Sequence, residues 1–209
     1  MHFTMKDEIL KRFLNANGEP ISGQALADEL QVSRTAIWKH LQTLKQEGYE
    51  FETVKKRGYK LVTVPDKVDM GQLQQFLKTK RYGRQVHYFE SVESTQLVAH
   101  ELVREGAPDG TVIIAEHQTA GRGRMMREWE SSEGKGIWMT IIIRPEIAPH
   151  QAPQFTFVTA VAVVNAMKAM FKNFTPEIKW PNDILVNGKK TTGILTEMVA
   201  EADRIQALL

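Results

Sequence analysis

Cysteine is missing from the 209 residues. Its absence excludes disulfides, thiolate zinc sites and a cysteine nucleophile, and is compatible with a reducing compartment. Long hydrophobic runs are missing as well. Apolar stretches such as Ile141–Ile143 fall far short of a membrane span. The opening "MHFTMKDEILKRF" carries charges within its first seven residues and no apolar core of a secretory signal. A soluble, cytoplasmic protein without membrane contact is expected. Strong charge of one sign is also lacking, since 27 Lys+Arg against 25 Asp+Glu leaves +2. That is too little to argue for nucleic acid from the whole chain, so local charge must decide. There is no internal repeat and no low-complexity segment. What is present is ordinary for a globular chain: 42% hydrophobic, 25% charged, and long enough for one sizeable domain or two modest ones.

Residues 6–64 predict three short helices and a hairpin. "KDEILKRFLNAN" puts Ile9, Leu10, Phe13 and Leu14 on one helical face and stops at Asn17-Gly18. Ser22 caps "GQALADEL", with Ala25, Leu26 and Leu30 on one side. Ser33 caps "RTAIWKHLQTLKQE", and Gly48 suits the position just past its end. In this third helix Ile37, Leu41 and Leu44 face the core. Arg34, Thr35, Trp38, Lys39, Gln42 and Lys45 then lie outward, residue types that reach phosphates and base edges. "YEFETVKKRGYKLV" reads as a hairpin with Lys55, Lys56 and Arg57 at its tip. Residues 33–60 carry seven Lys/Arg against three Glu, a local excess of +4. A basic wing beside a recognition helix suits DNA, with Ser33, Arg34, Thr35, Trp38, Lys39, Gln42, Lys55, Lys56 and Arg57 as the contacting set. A three-helix module used for protein contacts, with Trp38 simply packed, is the alternative. Residues 63–69, "TVPDKVD", form the expected linker between domains at 1–64 and 65–209.

The second part predicts an α+β domain. Asp69 caps "MGQLQQFLKTK", followed by the strand "QVHYFESV", the helix "STQLVAHELVREG" and the strand "TVIIAEHQ". "GIWMTIIIRP" reads as a strand buried on both faces. "QFTFVTAVAVVNAMKAMF" reads as a long apolar helix. "EIKW" and "DILVNGKKTTGILTEMV" add strands, with a tight turn at Asn187-Gly188, and a last strand starts near Arg204. A chain stopping at "IQALL" is expected to leave part of the sheet unpaired.

Chemistry gathers at three places. "EHQTAGRGRMMREWES" is neither a Walker motif nor a Rossmann fingerprint. Gly121 and Gly123 let backbone amides approach a ligand, and Arg122, Arg124 and Arg127 can hold a phosphate or carboxylate. A solvated basic loop explains the stretch equally well. "KWPND" brings Lys179 together with Asn182 and Asp183, whose oxygens suit Mg²⁺ or a ligand's polar groups. "GKKTTGIL" follows with Lys189, Lys190 and Gly193, although turn chemistry accounts for each motif singly. In "ESVESTQ", Ser94 and Thr95 stand at a strand-to-helix switch, where capping alone explains Ser94.

Together and in this order, "ESTQ", "EHQTAGRGRMMREWES", "GKGIWMTIIIRP", "KWPNDILVNGKKTTGILTEM" and the winged helix resemble the two-function biotin protein ligases, which also repress the biotin operon. The resemblance runs over essentially the whole chain. It implies an N-terminal winged helix-turn-helix followed by a mixed-sheet biotin/lipoate-ligase-like catalytic domain, α+β in class. It also implies a two-step reaction using biotin, ATP and Mg²⁺. Biotin is activated as biotinyl-5′-AMP and passed to a lysine of a biotin carboxyl carrier domain, and the adenylate-bound homodimer binds operator DNA.

By the same resemblance, Ser94, Thr95 and Gln96 begin the biotin pocket and Gln118 bonds the ligand. Gly121, Arg122, Gly123, Arg124 and Arg127 belong to a loop that closes over the adenylate, and Trp129 packs near adenine. Lys190 reaches the carboxylate and phosphate. Lys179, Asn182 and Asp183 line the nucleotide and metal side, and Gly193 allows close packing. Lys190, Arg122, Arg124 and Lys179 are the expected catalytic cations. Met125-Met126 replace a more polar, glycine-containing pair, and Thr192 stands where a small apolar residue or cysteine is usual. The family continues through a GxGxN strand-loop and a small C-terminal β-barrel, so this chain is expected to be incomplete at its C-terminus. A DNA-binding sensor of biotin or its adenylate, impaired in catalysis, is the alternative function.

Overall fold

The computed structural model describes residues 4–68, 70, 73, 76–201 and 204–209. By contacts the chain divides after Lys78 into two compact units. The cap at Asp69 and the start of the helix expected after it lie outside the described residues.

In the first unit, α1 (Met5–Asn15) opens on a reciprocal capping box between Thr4 and Asp7. The helices α2 (Gly23–Glu29) and α3 (Arg34–Gln46) are capped by Ser22 and Ser33, whose hydroxyls accept from the amides of Ala25 and Ala36. Ile9, Leu10, Phe13, Ile37, Leu41 and Leu44 are buried in one core with Tyr49, as their spacing predicts. The phase of α2 differs from expectation. Ala27 is buried with Leu26, whereas Ala25 is exposed. Seven residues make two turns, too few for the period to distinguish two alanines. Strands β1 (Glu50–Val54) and β2 (Gly58–Thr63) form an antiparallel hairpin whose basic turn protrudes, and the bridge from Ile21 to Tyr59 pins it to the helices.

The second unit begins with β3 (Val86–Val92), α4 (Thr95–Arg104) and β4 (Val112–Gln118). The two strands are parallel and α4 is their crossover. Strand β5 (Trp138–Ile141) runs antiparallel to β4 at the sheet's edge. Here the expectation of a strand buried on both faces fails, because Ile137 is 70% and Met139 44% exposed. Ile142 and Thr140 are buried, while on the opposite face Met139 is exposed and Ile141 and Ile143 are half-buried.

The long helix α5 (Gln154–Met170) buries only Ala160 and Val164. Strands β6 (Pro176–Lys179), β7 (Asp183–Val186) and β8 (Lys189–Gly193) form an antiparallel meander with the expected two-residue turn at Asn187-Gly188. Strands β9 (Met198–Glu201) and β10 (Arg204–Leu208) form a hairpin. The C-terminal strand is not left unpaired along its end. Leu208 exchanges backbone bonds with Ile143 at 2.7 and 2.8 Å, and Leu209 does so with Glu197 at 2.9 and 3.0 Å. The burial of Ala207 and Leu209 in one cluster with Ala99 and Val103 of α4 favours that pairing.

Arg144 ties this unit together. Its guanidinium donates to the carbonyls of Ala107 and Gln206, each at 2.8 Å, and its backbone N–H donates to Asp109 at 2.8 Å. Positive charge below the end of α4 also suits the helix dipole. The hydrogen bond from Arg81, aided by the amide of Arg144, holds the Asp109 carboxyl below its ordinary range despite partial burial. No helix among the described residues is long and apolar enough to cross a membrane.

Candidate functional site

Strand β4 ends at Gln118, and the next residues return beside it rather than opening a helix. Gln118 bridges Ser131, Trp129 N–H donates to Gly121 O at 2.8 Å, and Gly123 N–H donates to Arg127 O at 2.7 Å. The glycine–arginine segment is therefore an irregular hairpin, its tip a single 3-10 turn over Arg124–Met126. Gly121 is buried because a Cβ there would lie 2.3 Å from the Trp129 carbonyl oxygen. At the tip, Met125 and Met126 are exposed and left-handed, both with φ 57°.

A buried hydroxyl–amide network fills the base of this hairpin. Gln118 Oε1 accepts from the backbone N–H of Thr95 at 2.8 Å and from its hydroxyl at 3.0 Å. Gln118 Nε2 donates to Ser131 Oγ at 2.8 Å. The Thr140 hydroxyl lies 2.9 Å from both Thr95 Oγ1 and Gln96 Oε1, with its one hydrogen shared between these two acceptors. Ser94 caps α4, its hydroxyl accepting from Gln96 N–H at 3.2 Å. The residues expected to begin a biotin pocket, Ser94, Thr95, Gln96 and Gln118, are thus brought together.

Two further members, Thr140 and Ser131, escaped sequence reasoning. The available signal was slight: Thr140 is the one polar residue within "IWMTIII". Replacing Thr140 by valine keeps the shape but leaves Gln96 Oε1 buried without this donor. Such a loss costs about 1–3 kcal/mol, so the thermal midpoint of the second unit should fall by roughly 3–10 °C, with serine restoring it.

The hairpin meets the β6–β8 meander at two points. Arg124 Nη1 donates to Asn182 Oδ1 at 3.2 Å, and Asn182 Nδ2 donates to Ile194 O at 3.1 Å. Trp129 packs on Gly193, where a Cβ would come 2.9 Å from its ring, and the Lys190 ammonium sits 4.8 Å from the Trp129 ring centroid. Lys190 Nζ also lies 2.8 Å from Asp183 Oδ1, but not aligned for hydrogen bonding, so that buried oxygen has a cation beside it and no donor.

A cavity of 600 Å³ opens between Arg124, Met125, Trp180 and Asn182 on one side and Pro153 and Phe157 at the start of α5 on the other. Arg122 pairs loosely with Glu93 at 3.6 Å. Lys179 and Arg127 are exposed and make no side-chain bond to the described residues. Beneath the network Tyr88 donates to Glu116 at 3.1 Å, and burial with the neighbouring carboxylate raises the phenol well above its usual range. No group of three or more His, Asp or Glu among the described residues forms a metal cluster.

In the first unit most of the expected DNA-facing residues are at the surface. Arg34, Thr35, Trp38, Lys39, Lys55, Lys56 and Arg57 are exposed and Ser33 is the cap. Gln42 is half-buried rather than fully outward, and Arg57 is paired with Glu19 at 3.0 Å.

Residues 6–60 match a helix-turn-helix (HTH) domain, and residues 88–208 match the biotin/lipoate A/B protein ligase family. The Bifunctional ligase/repressor BirA of Bacillus spizizenii is 48% identical over 209 residues, all of this chain and 64% of the relative. The protein of that name from Escherichia coli is 32% identical over 90% of this chain and 57% of its own length. Among solved structures, the biotin protein ligase from Aquifex aeolicus in complex with biotin and ATP is 27% identical, covering 60% of this chain and 50% of its own, with a TM-score of 0.48. The chain thus spans less than two thirds of the curated relatives it matches. With more than half of its residues matched by one family, this chain belongs to the biotin/lipoate A/B protein ligases.

Proposed function

We infer that this chain is a biotin ligase that also represses transcription by binding operator DNA. The observation that carries the reading is the contact of Arg124 with Asn182, which joins the glycine–arginine hairpin to the "KWPND" turn across 58 residues. With Lys190 on Trp129 beside it, cations from two distant segments converge where a phosphate can sit. The relatives named bifunctional ligase/repressor, and the winged-helix module read over residues 1–64, support the regulatory half.

In the first step, a carboxylate oxygen of biotin attacks the α-phosphorus of ATP and pyrophosphate leaves. In the second, the lysine amine of a carrier domain attacks the acyl carbon and AMP leaves. Both steps build negative charge on oxygen, and fixed cations stabilise it without reorganising. Arg122, Arg124, Lys179 and Lys190 take that role, with Arg127 beside them. Ser94, Thr95, Gln96 and Gln118 hold biotin's polar ring. Gly121, Gly123 and Gly193 permit close approach, and Trp129 flanks the adenine. Asp183 Oδ1, buried beside the Lys190 ammonium, and the Asn182 amide oxygen, which accepts from Arg124, are the oxygens that would hold Mg²⁺. Magnesium would neutralise the phosphate oxygens there. The reading also carries a cytoplasmic location and a homodimer in the adenylate-bound state.

The test incubates the chain with biotin, MgATP and a carrier domain. The expected product is carrier heavier by one biotinyl group, read by mass spectrometry. Tight binding of biotinyl-5′-AMP without transfer would replace ligase by sensor, and no binding of either ligand would sink the reading.

A further inference from the structure

On α3 the buried set Ile37, Leu41 and Leu44 fixes the helix phase and leaves Arg34, Thr35, Trp38, Lys39 and Lys45 outward. Exposed cations need no special explanation on a solvated face. An indole does, and Trp38 is 51% exposed in the middle of that face. It is not a stray side chain on a flat surface. Trp38, Arg34 and Thr35 line a shallow depression of 340 Å³ together with Tyr59 of β2. Tyr59 is rigidly placed: its backbone exchanges bonds with Ile21 at 2.7 and 2.9 Å, and its ring lies on Gly23, where a Cβ would be 3.2 Å away. The depression therefore sets the indole beside a firmly placed tyrosine ring, with a guanidinium and a threonine hydroxyl at its rim.

The face around it complements DNA in charge, with Arg34, Lys39 and Lys45 on the helix and Lys55 and Lys56 on the wing. Along the edges of B-DNA's major groove, the apolar group on offer is the C5-methyl of thymine. We propose that Trp38 is a specificity-determining residue that covers a thymine methyl in the major groove. This rests on the DNA-binding reading above and adds to it which base is read and by what force. The contact needs no hydrogen bond, since transfer of the methyl from water onto the indole drives it.

The experiment uses the full chain with biotin and MgATP. Duplexes are first selected from a random-sequence pool. The tightest duplex is then remade with deoxyuridine replacing each thymidine singly, which removes the methyl and keeps the base's hydrogen-bonding edge. At one position in each half-site, wild-type affinity should fall about fourfold, the equivalent of one buried methyl group. Trp38→Ala should bind the thymidine duplex more weakly and be indifferent to that methyl, with an unchanged melting temperature. Equal sensitivity in both proteins, or no methyl-sensitive position in the wild type, would overturn the proposal while leaving DNA binding intact. A Trp38→Ala chain that binds every duplex as the wild type does would assign Trp38 to a protein contact instead. Failure to select any duplex would overturn the DNA reading together with the proposal. Because deoxyuridine alters only the DNA, the wild-type measurement stands even if the variant misfolds.

Discussion

Lys190→Ala should lower the rate of biotinyl-5′-AMP formation by about a hundred- to a thousandfold, the usual effect of removing one donor aimed at developing oxyanion charge. The proposed catalytic role of Lys190 draws on its surroundings. Its ammonium stands over Trp129 at 4.8 Å and beside Asp183 at 2.8 Å, without a hydrogen bond to that carboxylate. A cation held by charge and by a ring face can swing to a phosphate without first breaking an aligned bond. Its side chain is 40% exposed, so the pair with Asp183 adds little to stability, about 1 kcal/mol or less. The thermal midpoint of Lys190→Ala should therefore stay close to wild type while pyrophosphate release collapses. Lys190→Arg should recover only part of the rate, because a planar fork does not reproduce a compact ammonium. A variant forming adenylate at the wild-type rate would remove Lys190 from the catalytic set.

Gly58→Ala should act just as strongly on the other unit. Gly58 has φ +111°, and a Cβ there would fall 2.0 Å from the Ile21 carbonyl oxygen, a backbone atom that cannot swing aside. Backbone strain of this kind costs about 1–3 kcal/mol, and the clash adds to it. For a domain of this size each kcal/mol shifts the midpoint by about 4–8 °C, so the winged-helix transition should drop by roughly 10–20 °C. Duplex DNA binding should fall with it, since the wing would lose its anchorage through the Ile21–Tyr59 bridge. Adenylate formation, which uses residues beyond Thr79, should persist. Calorimetric melts beside a single-turnover adenylation assay separate the two readouts, and an unshifted first transition would contradict the geometry.

Much of this was legible in the chain itself, for reasons that differ by element. The helices α1 and α3 are long enough for the apolar period to fix their buried faces, and Ser22, Ser33 and Ser94 marked helix starts because a hydroxyl there satisfies a free amide. The short α2 gave no such leverage, and Ala25 and Ala27 exchanged roles. "GIWMTIIIRP" misled because a continuous apolar run cannot distinguish a central strand from an edge strand carrying Met139 outward. The glycine–arginine stretch and "KWPND" stood out only by occurring together, since a solvated loop or turn chemistry accounts for each alone. Thr140 and Ser131 went unseen because a single hydroxyl has no spacing to betray it. Only the folded chain brings Thr140 to Thr95 across 45 residues.

The clamp made by Arg144 also says something about order in time. Its bond to Gln206 spans 62 residues, and Gln96 reaches Leu209 across 113. The second unit therefore cannot close its sheet and helix layer during synthesis until residues 204–209 have emerged. The winged-helix unit is under no such delay. Its α1–α3 core and wing lie within its first 63 residues, and loops that short close early. A ribosome still translating the second unit would already carry a finished winged-helix unit.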